Sequence, residues 1–207
     1  MHANGAKRAK YEAQIGFHTT FSSYLDDYHR VVDILFDQIE ENDVPVNVIS
    51  CPLLFLVRHS LELGYKLNIK HLSKYSRSGH MVNSKTHHLR ELHEAFRLHF
   101  TAVVKALHVG RDIADEFQRR CEDLEKLMKT FDDIDRGSFS FRYPEDTEQR
   151  VVFKHNETMN LLDVKDLYHK AMVLLSYTAD VLSDFTDHVD YMNKLMEDEQ
   201  RTNYDHG

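Results

Sequence analysis

Arg58, Glu62 and Lys66 follow one another at four-residue steps inside a stretch otherwise rich in leucine, valine and tyrosine. On a helix that turns about 100° per residue they fall on one side. With Arg58 at zero, Leu54 and Leu72 lie about 40° to one side and Tyr65 and Ile69 within about 20°. Glu62 and Lys66 lie at about 40° and 80° on the other. A charged row therefore runs along or beside an apolar face. Unpaired charge in such a setting is costly, so these groups must pair or line a wet cleft. Glu62 can accept from Arg58 one turn earlier and from Lys66 one turn later. One reading is an ion-pair network that fixes helix register. The other is a polar pocket where Arg58, Lys66 and His59 meet an anion or a nucleotide and Glu62 orients them. In an enzyme, His59 would act as acid/base and Arg58 as phosphate stabiliser.

Phe141-Arg142-Tyr143-Pro144 adds Arg142, an arginine between two aromatics. On a strand Phe141 and Tyr143 share a face and Arg142 points the other way. From there it could reach Glu62, Asp135, solvent or a phosphate. His88 is a further candidate neighbour of this centre.

Other chemistry has weaker footing. His80, His87, His88, His93 and His99 cluster in sequence, but His93 to His99 does not have the His-Glu-x-x-His zinc spacing. Asp26-x-x-His29 and Asp166-x-x-His169 give only half of a di-iron carboxylate pattern. There is no glycine-rich phosphate loop, and Ser and Cys lack nucleophile signatures. No metal and no cofactor are expected.

The elements that must carry these residues are read from period. Apolar residues at steps of three and four from Tyr11 to Ile39 predict a helix from near Arg8 to Glu41, stopped by Asn42-Asp43-Val44-Pro45. A second helix is expected after Pro52, to about Lys74, then a loop over 76–84. A third enters near Thr86 and ends at Gly110. A fourth carries Ile113 to Phe131. The period then changes to two over 138–143 and 150–154, which predicts an inserted β-hairpin near 138–155. A last long helix is expected after Asp163 as N-cap, with a frayed charged tail beyond Glu197. The expected fold is mainly α: one domain over 1–207, a bundle of about five helices with that hairpin.

Composition agrees with this class. The chain has 207 residues, 42% of them hydrophobic, with only seven Gly and three Pro and no Trp, so long helices are favoured over many strands. No apolar run reaches the roughly 18 residues of a membrane span, and the polar, basic N-terminus does not read as a secretory signal. A cytoplasmic setting with free Cys51 and Cys121 is the expectation. The formal charge of −8 argues against a generic nucleic-acid coat. Fifteen histidines could reverse that sign on protonation, which makes surface potential sensitive to pH between about 5 and 7.

Arg58-His59-Ser60-Leu61-Glu62-Leu63-Gly64-Tyr65-Lys66, then His88-Leu89-Arg90-Glu91-Leu92, then Phe141-Arg142-Tyr143-Pro144 before a long C-terminal helix resemble a pattern of HEPN-like helical proteins of bacteria and phages. The resemblance spans residues 50–185. It implies an all-α fold, a homodimer, and a place in toxin–antitoxin or anti-phage systems. It implies either a binding or interaction module, with RNA, a nucleotide or a partner protein as ligand, or a metal-independent RNase. A purely structural subunit is a third possibility. The family's RNases use Arg-(x)4–6-His on a helix. A match here, Arg150 to His155, falls in the second expected strand. Residues five apart on a strand face opposite ways, which weighs against that mechanism.

Overall fold

The computed structural model describes residues 8–76, 85–134, 140–146, 148–153 and 158–205, with side chains as far as Arg201. Among the described residues, residues 8–10 are helical and six longer helices follow: α1 Phe21–Asn42, α2 Val46–Leu72, α3 Leu89–Ala106, α4 Arg111–Ile134, α5 Leu161–Val181 and α6 Ser183–Asp205. The helical bundle agrees with the expected class. No strand forms among the described residues.

α1 begins at Phe21, not near Arg8. Thr20 caps it: its hydroxyl accepts from the Ser23 amide at 3.1 Å, and the Ser23 hydroxyl accepts from the Thr20 amide at 3.2 Å. The helical residues 8–10 are separated from it by turns and irregular backbone, and Tyr11, Ile15 and Phe17 between them are exposed, so a continuous helix there would have no core to bury its apolar face. The stop lies where the sequence placed it. Asp43 takes the left-handed conformation at φ 51°, which Asp tolerates better than most residues.

α2 starts at Val46 and runs through Pro52 instead of following it. The proline ring removes the donor that the Val48 carbonyl would otherwise receive. Val48 is exposed, so water can serve that carbonyl. By length and composition α2 could cross a membrane, but it is the central helix of this bundle. It packs on α1, α3 and α5, while α4 closes on α5 and α3. Gly64 allows α2 to approach α5 closely. A Cβ there would lie 2.9 Å from Cδ1 of Leu175 on α5. Asn68 Nδ2 ties the same pair, donating to the carbonyls of Gly64 at 2.8 Å and Leu175 at 2.7 Å.

α3 ends at Ala106, before Gly110. His108, not the glycine, takes the left-handed position at φ 55°, and the Val109 amide reaches back to the Val104 carbonyl at 3.0 Å. The expected hairpin does not form. A single antiparallel bridge joins Glu145 to Val151, and 140–142 is a turn. Asp146 takes over the local donors: its carboxylate accepts from the amides of Glu148 at 2.8 Å and Arg150 at 3.0 Å. Pro144 has no amide to offer a ladder. Phe141 is buried edge-on to Phe131 and stacked on Phe153, so the two aromatics anchor a loop rather than one face of a ribbon. Phe139, Lys154 and His155 lie outside the described residues, and so does most of the expected 76–84 loop, with His80.

The long last helix is two. Asn160 caps α5, accepting from the Leu162 amide at 3.0 Å, so Asp163 is in the first turn. The helix breaks at the buried Leu182. Ser183 donates its hydroxyl to the Asp180 carbonyl at 2.7 Å, and Thr186 donates to the carbonyls of Ser183 and Leu182. Hydroxyls that engage backbone carbonyls compete with the helical ladder.

Candidate functional site

The polar centre grows from one side of α2. Counted from Arg58, Phe55, His59, Glu62 and Lys66 fall between about 40° and 100° on the wheel, a single stripe. α1 faces this stripe with Tyr28, the start of α3 supplies His87, and the loop before α5 brings Arg142.

Arg58 and Glu62 are enclosed, at 1% and 3% exposure. Arg58 Nη2 donates to the His87 carbonyl at 2.6 Å, and Nη1 is 3.6 Å from Glu62 Oε2. Lys66 Nζ donates to Glu62 Oε1 at 2.9 Å. His87 Nδ1 meets the same oxygen at 2.9 Å. The charged row is thus a closed ion-pair network with Glu62 at its hub. Burial alone would push the Glu62 carboxyl up, but the hydrogen bonds from Lys66 and His87, and their charges, hold it below its usual value.

The sequence reading places His87 only in the histidine cluster and not in this centre, for which it names His88. His88 instead sits at the start of α3 and lines a cleft with Arg90, Glu91 and Asp132. The adjacent pair His87-His88 was the only available signal, and choosing between them needs the path of the loop.

His59 stacks on Phe55 with centroids 5.9 Å apart and planes 8° apart, and Tyr28 meets it edge-on at 4.7 Å. Burial lowers its pKa. Glu62 opposes this, and Lys66 and Arg58 add to it. The Arg142 guanidinium lies 5.6 Å from the centre of the Phe55 ring and 5.7 Å from that of Tyr143, both exposed to solvent on their outer side at residues 142 and 143. Phe55 therefore meets both an imidazole and a guanidinium. The structure brings Arg58, His59, Glu62, Lys66 and Arg142 into one neighbourhood and leaves His88 on its outskirts.

Compared with family models, characterised proteins and solved structures, the chain has no significant match. What the centre does must be argued from its own geometry. Its interior is spent on mutual pairing. Its outer edge offers a cation on an aromatic plane, a second cation one-sixth exposed at Lys66, and a neutral-leaning imidazole.

The remaining histidines do not assemble a metal site. His93 shares a hydrogen bond with the Tyr65 hydroxyl at 2.9 Å and meets Glu125 at 3.3 Å. His99 bonds the Ser76 hydroxyl at 2.8 Å. His29 and His169 do converge, but on Asp33, not on Asp26 or Asp166. No group of three or more His, Cys, Asp or Glu arranged to hold a metal occurs among the described residues.

These buried imidazoles predict a pH dependence. Burial lowers the pKa of His59, His71 and His93 below 6.5, and the Nε2 of His71 is buried without a hydrogen-bond partner. The unfolded chain takes up those protons first. Their contribution is therefore complete above about pH 6.5 and is lost as pH falls through the lowered folded values. The Glu62 contribution has the same sign but a lower window: present above 4.5, lost as pH falls through its depressed folded value. Urea midpoints across this range should fall in two stages. A midpoint unchanged between about pH 7.5 and about pH 5.5 would exclude the histidine stage.

Proposed function

We propose that the protein is a HEPN-like helical binding module whose polar centre takes a phosphate-bearing ligand, RNA or a nucleotide, at its outer edge. The observation that carries this is the Phe55 ring, with His59 stacked on it and the Arg142 guanidinium over it. A guanidinium on an aromatic plane is a surface that accepts both a phosphate and a base. Lys66, four residues from Glu62 and fixed by it, supplies a second cation. Arg58 is enclosed, so direct contact falls to Arg142 and Lys66, while Glu62 fixes Lys66 and Phe55 carries Arg142. The overall charge of −8 is compatible with this, because the attraction required is local. The resemblance that names the family also makes a homodimer and a bacterial or phage stress or defence setting the expected context.

Metal-independent RNA cleavage is a second reading, favoured by one observation. His59 is held towards its neutral form beside two cations, the state a general base requires.

Anisotropy titration of a labelled single-stranded RNA, and of labelled ATP, tests both. Arg142 is exposed, so Arg142→Ala should leave the fold intact and weaken binding about tenfold, equivalent to about 1.4 kcal/mol. Binding should also weaken with salt. Unchanged affinity in Arg142→Ala, or no binding at low salt, would remove the proposal. RNA shortened in the presence of chelator by the parent chain, and left intact by His59→Ala, would establish the second reading.

A further inference from the structure

On the far side of the bundle, α5 and α6 carry an apolar stripe that the fold does not cover. Val173, Tyr177 and Val181 recur at four-residue steps on α5, and Met192, Leu195 and Met196 follow on α6. Each is at least 41% exposed. On α5 the three residues span about 12 Å at 1.5 Å per residue, and the α6 residues follow beyond the break at Leu182. Its α5 half is one wall of a cavity of about 350 Å³, closed on the other side by Ile113 and Phe117 of α4. Asp112 lines the same cavity, and Arg120, which also lines it, is held by Glu116 at 2.6 Å.

The shape selects a helix. Apolar side chains repeating every three to four residues over several turns match the repeat of a second helix laid alongside, and methionine adapts to its contours. The charge selects the kind of helix. Over 183–201, α6 carries Asp184, Asp187, Asp190, Glu197, Asp198 and Glu199, against Lys194 and Arg201. On the wheel, with Tyr191 at zero, Asp184 at about 20° lies between Tyr191 and Leu195, Asp198 and Asp187 lie about 20° and 40° to the other side, and Glu199 at about 80° falls between Leu195 and Met192. A second copy laid along this face would set carboxylates against carboxylates, and an anionic membrane would meet the same repulsion. We propose that the α5–α6 face is a docking surface for a basic amphipathic helix of a partner protein. Its apolar residues enter the α4–α5 cavity and cover the methionines, and its lysines or arginines face the α6 carboxylates. This rests on residues remote from the polar centre and stands independently of it.

The probe is a fluorescent synthetic helix with leucine on one face and lysine on the other, titrated against the full chain by anisotropy. It should bind, with affinity falling as salt rises. Tyr177→Lys and, separately, Met192→Lys should each weaken it at least tenfold, and Arg142→Ala should leave it unchanged. Thermal melts establish that each variant is folded. Met192→Lys, on the exposed side of α6, carries the test if Tyr177→Lys is not. The Leu/Glu counterpart should not bind. The proposal is overturned by equal binding of the Leu/Glu helix, by unchanged binding in both lysine variants, or by a homodimer that Tyr177→Lys dissolves. Adsorption to neutral lipid vesicles lost in both variants, with no binding of the Leu/Lys helix, would also overturn it and make the face a membrane contact.

Discussion

Glu62→Leu should cost about 3–5 kcal/mol, read as a fall in urea midpoint followed by circular dichroism, because it leaves Arg58 buried beside a missing carboxylate. Three groups converge on this one side chain. Lys66 and His87 share Oε1, and Arg58 faces Oε2. Lys66 and His87 reach solvent, at 16% and 63% exposure, so hydration can replace what they lose. Arg58 at 1% cannot use water in that way, and most of the cost falls on it. A second substitution therefore separates charge from shape. Arg58→Met/Glu62→Leu removes both charges and keeps volume, so it should recover most of the loss. Recovery should stop about 1 kcal/mol short, since the His87 carbonyl also loses its donor. A single-variant loss under about 1 kcal/mol would mean that Glu62 is not the hub of the network.

That network was legible in outline because helical periodicity is a local property. The four-residue steps of Arg58, Glu62 and Lys66 placed them on one side of α2 before any contact was known, and their need for partners followed from desolvation alone. The α1 stop at Asn42-Asp43 was equally readable, as it depends on two adjacent residues. What escaped the sequence depends on chain path. His87 and His88 are neighbours in the extended entry to α3, and only the path of that entry decides which reaches Glu62. Phe141 and Phe153 fall in stretches that alternate as strand residues do, yet the same alternation serves a loop pinned to α4 through Phe141, on which Phe153 stacks. The break at Leu182 interrupts no apolar period; it arises from hydroxyls at Ser183 and Thr186 that engage carbonyls. Arg142 was read as lying away from its flanking aromatics because a strand was assumed. In the loop it folds back over Tyr143 and Phe55.

Gly64→Val should cost up to about 3 kcal/mol, the upper range for overpacking a core. Gly64 is a close approach of α2 and α5. A Cβ would sit 2.9 Å from Leu175 Cδ1, 3.1 Å from its Cβ and 3.4 Å from its Cγ. The Cδ1 atom can turn aside, but the Leu175 Cβ is fixed to the α5 backbone, so valine must push the helices apart. Separation then strains the Asn68 hydrogen bond to the Leu175 carbonyl, which is 2.7 Å long and buried. Gly64→Ala adds one carbon and gains about 1 kcal/mol of helix propensity, which offsets much of the contact, so its effect should be small. Leu175→Ala alone leaves a cavity. Combined with Gly64→Val it should restore part of the loss, with a coupling above about 1 kcal/mol in a double-mutant cycle. Additive costs would show that the two side chains do not share the space. The same contact links the two surfaces argued above. α2 carries Phe55, His59 and Lys66, and α5 carries Val173 and Tyr177. A folded Gly64→Val chain should therefore shift RNA and helical-peptide affinities together, whereas Arg142→Ala and Tyr177→Lys should each move only one.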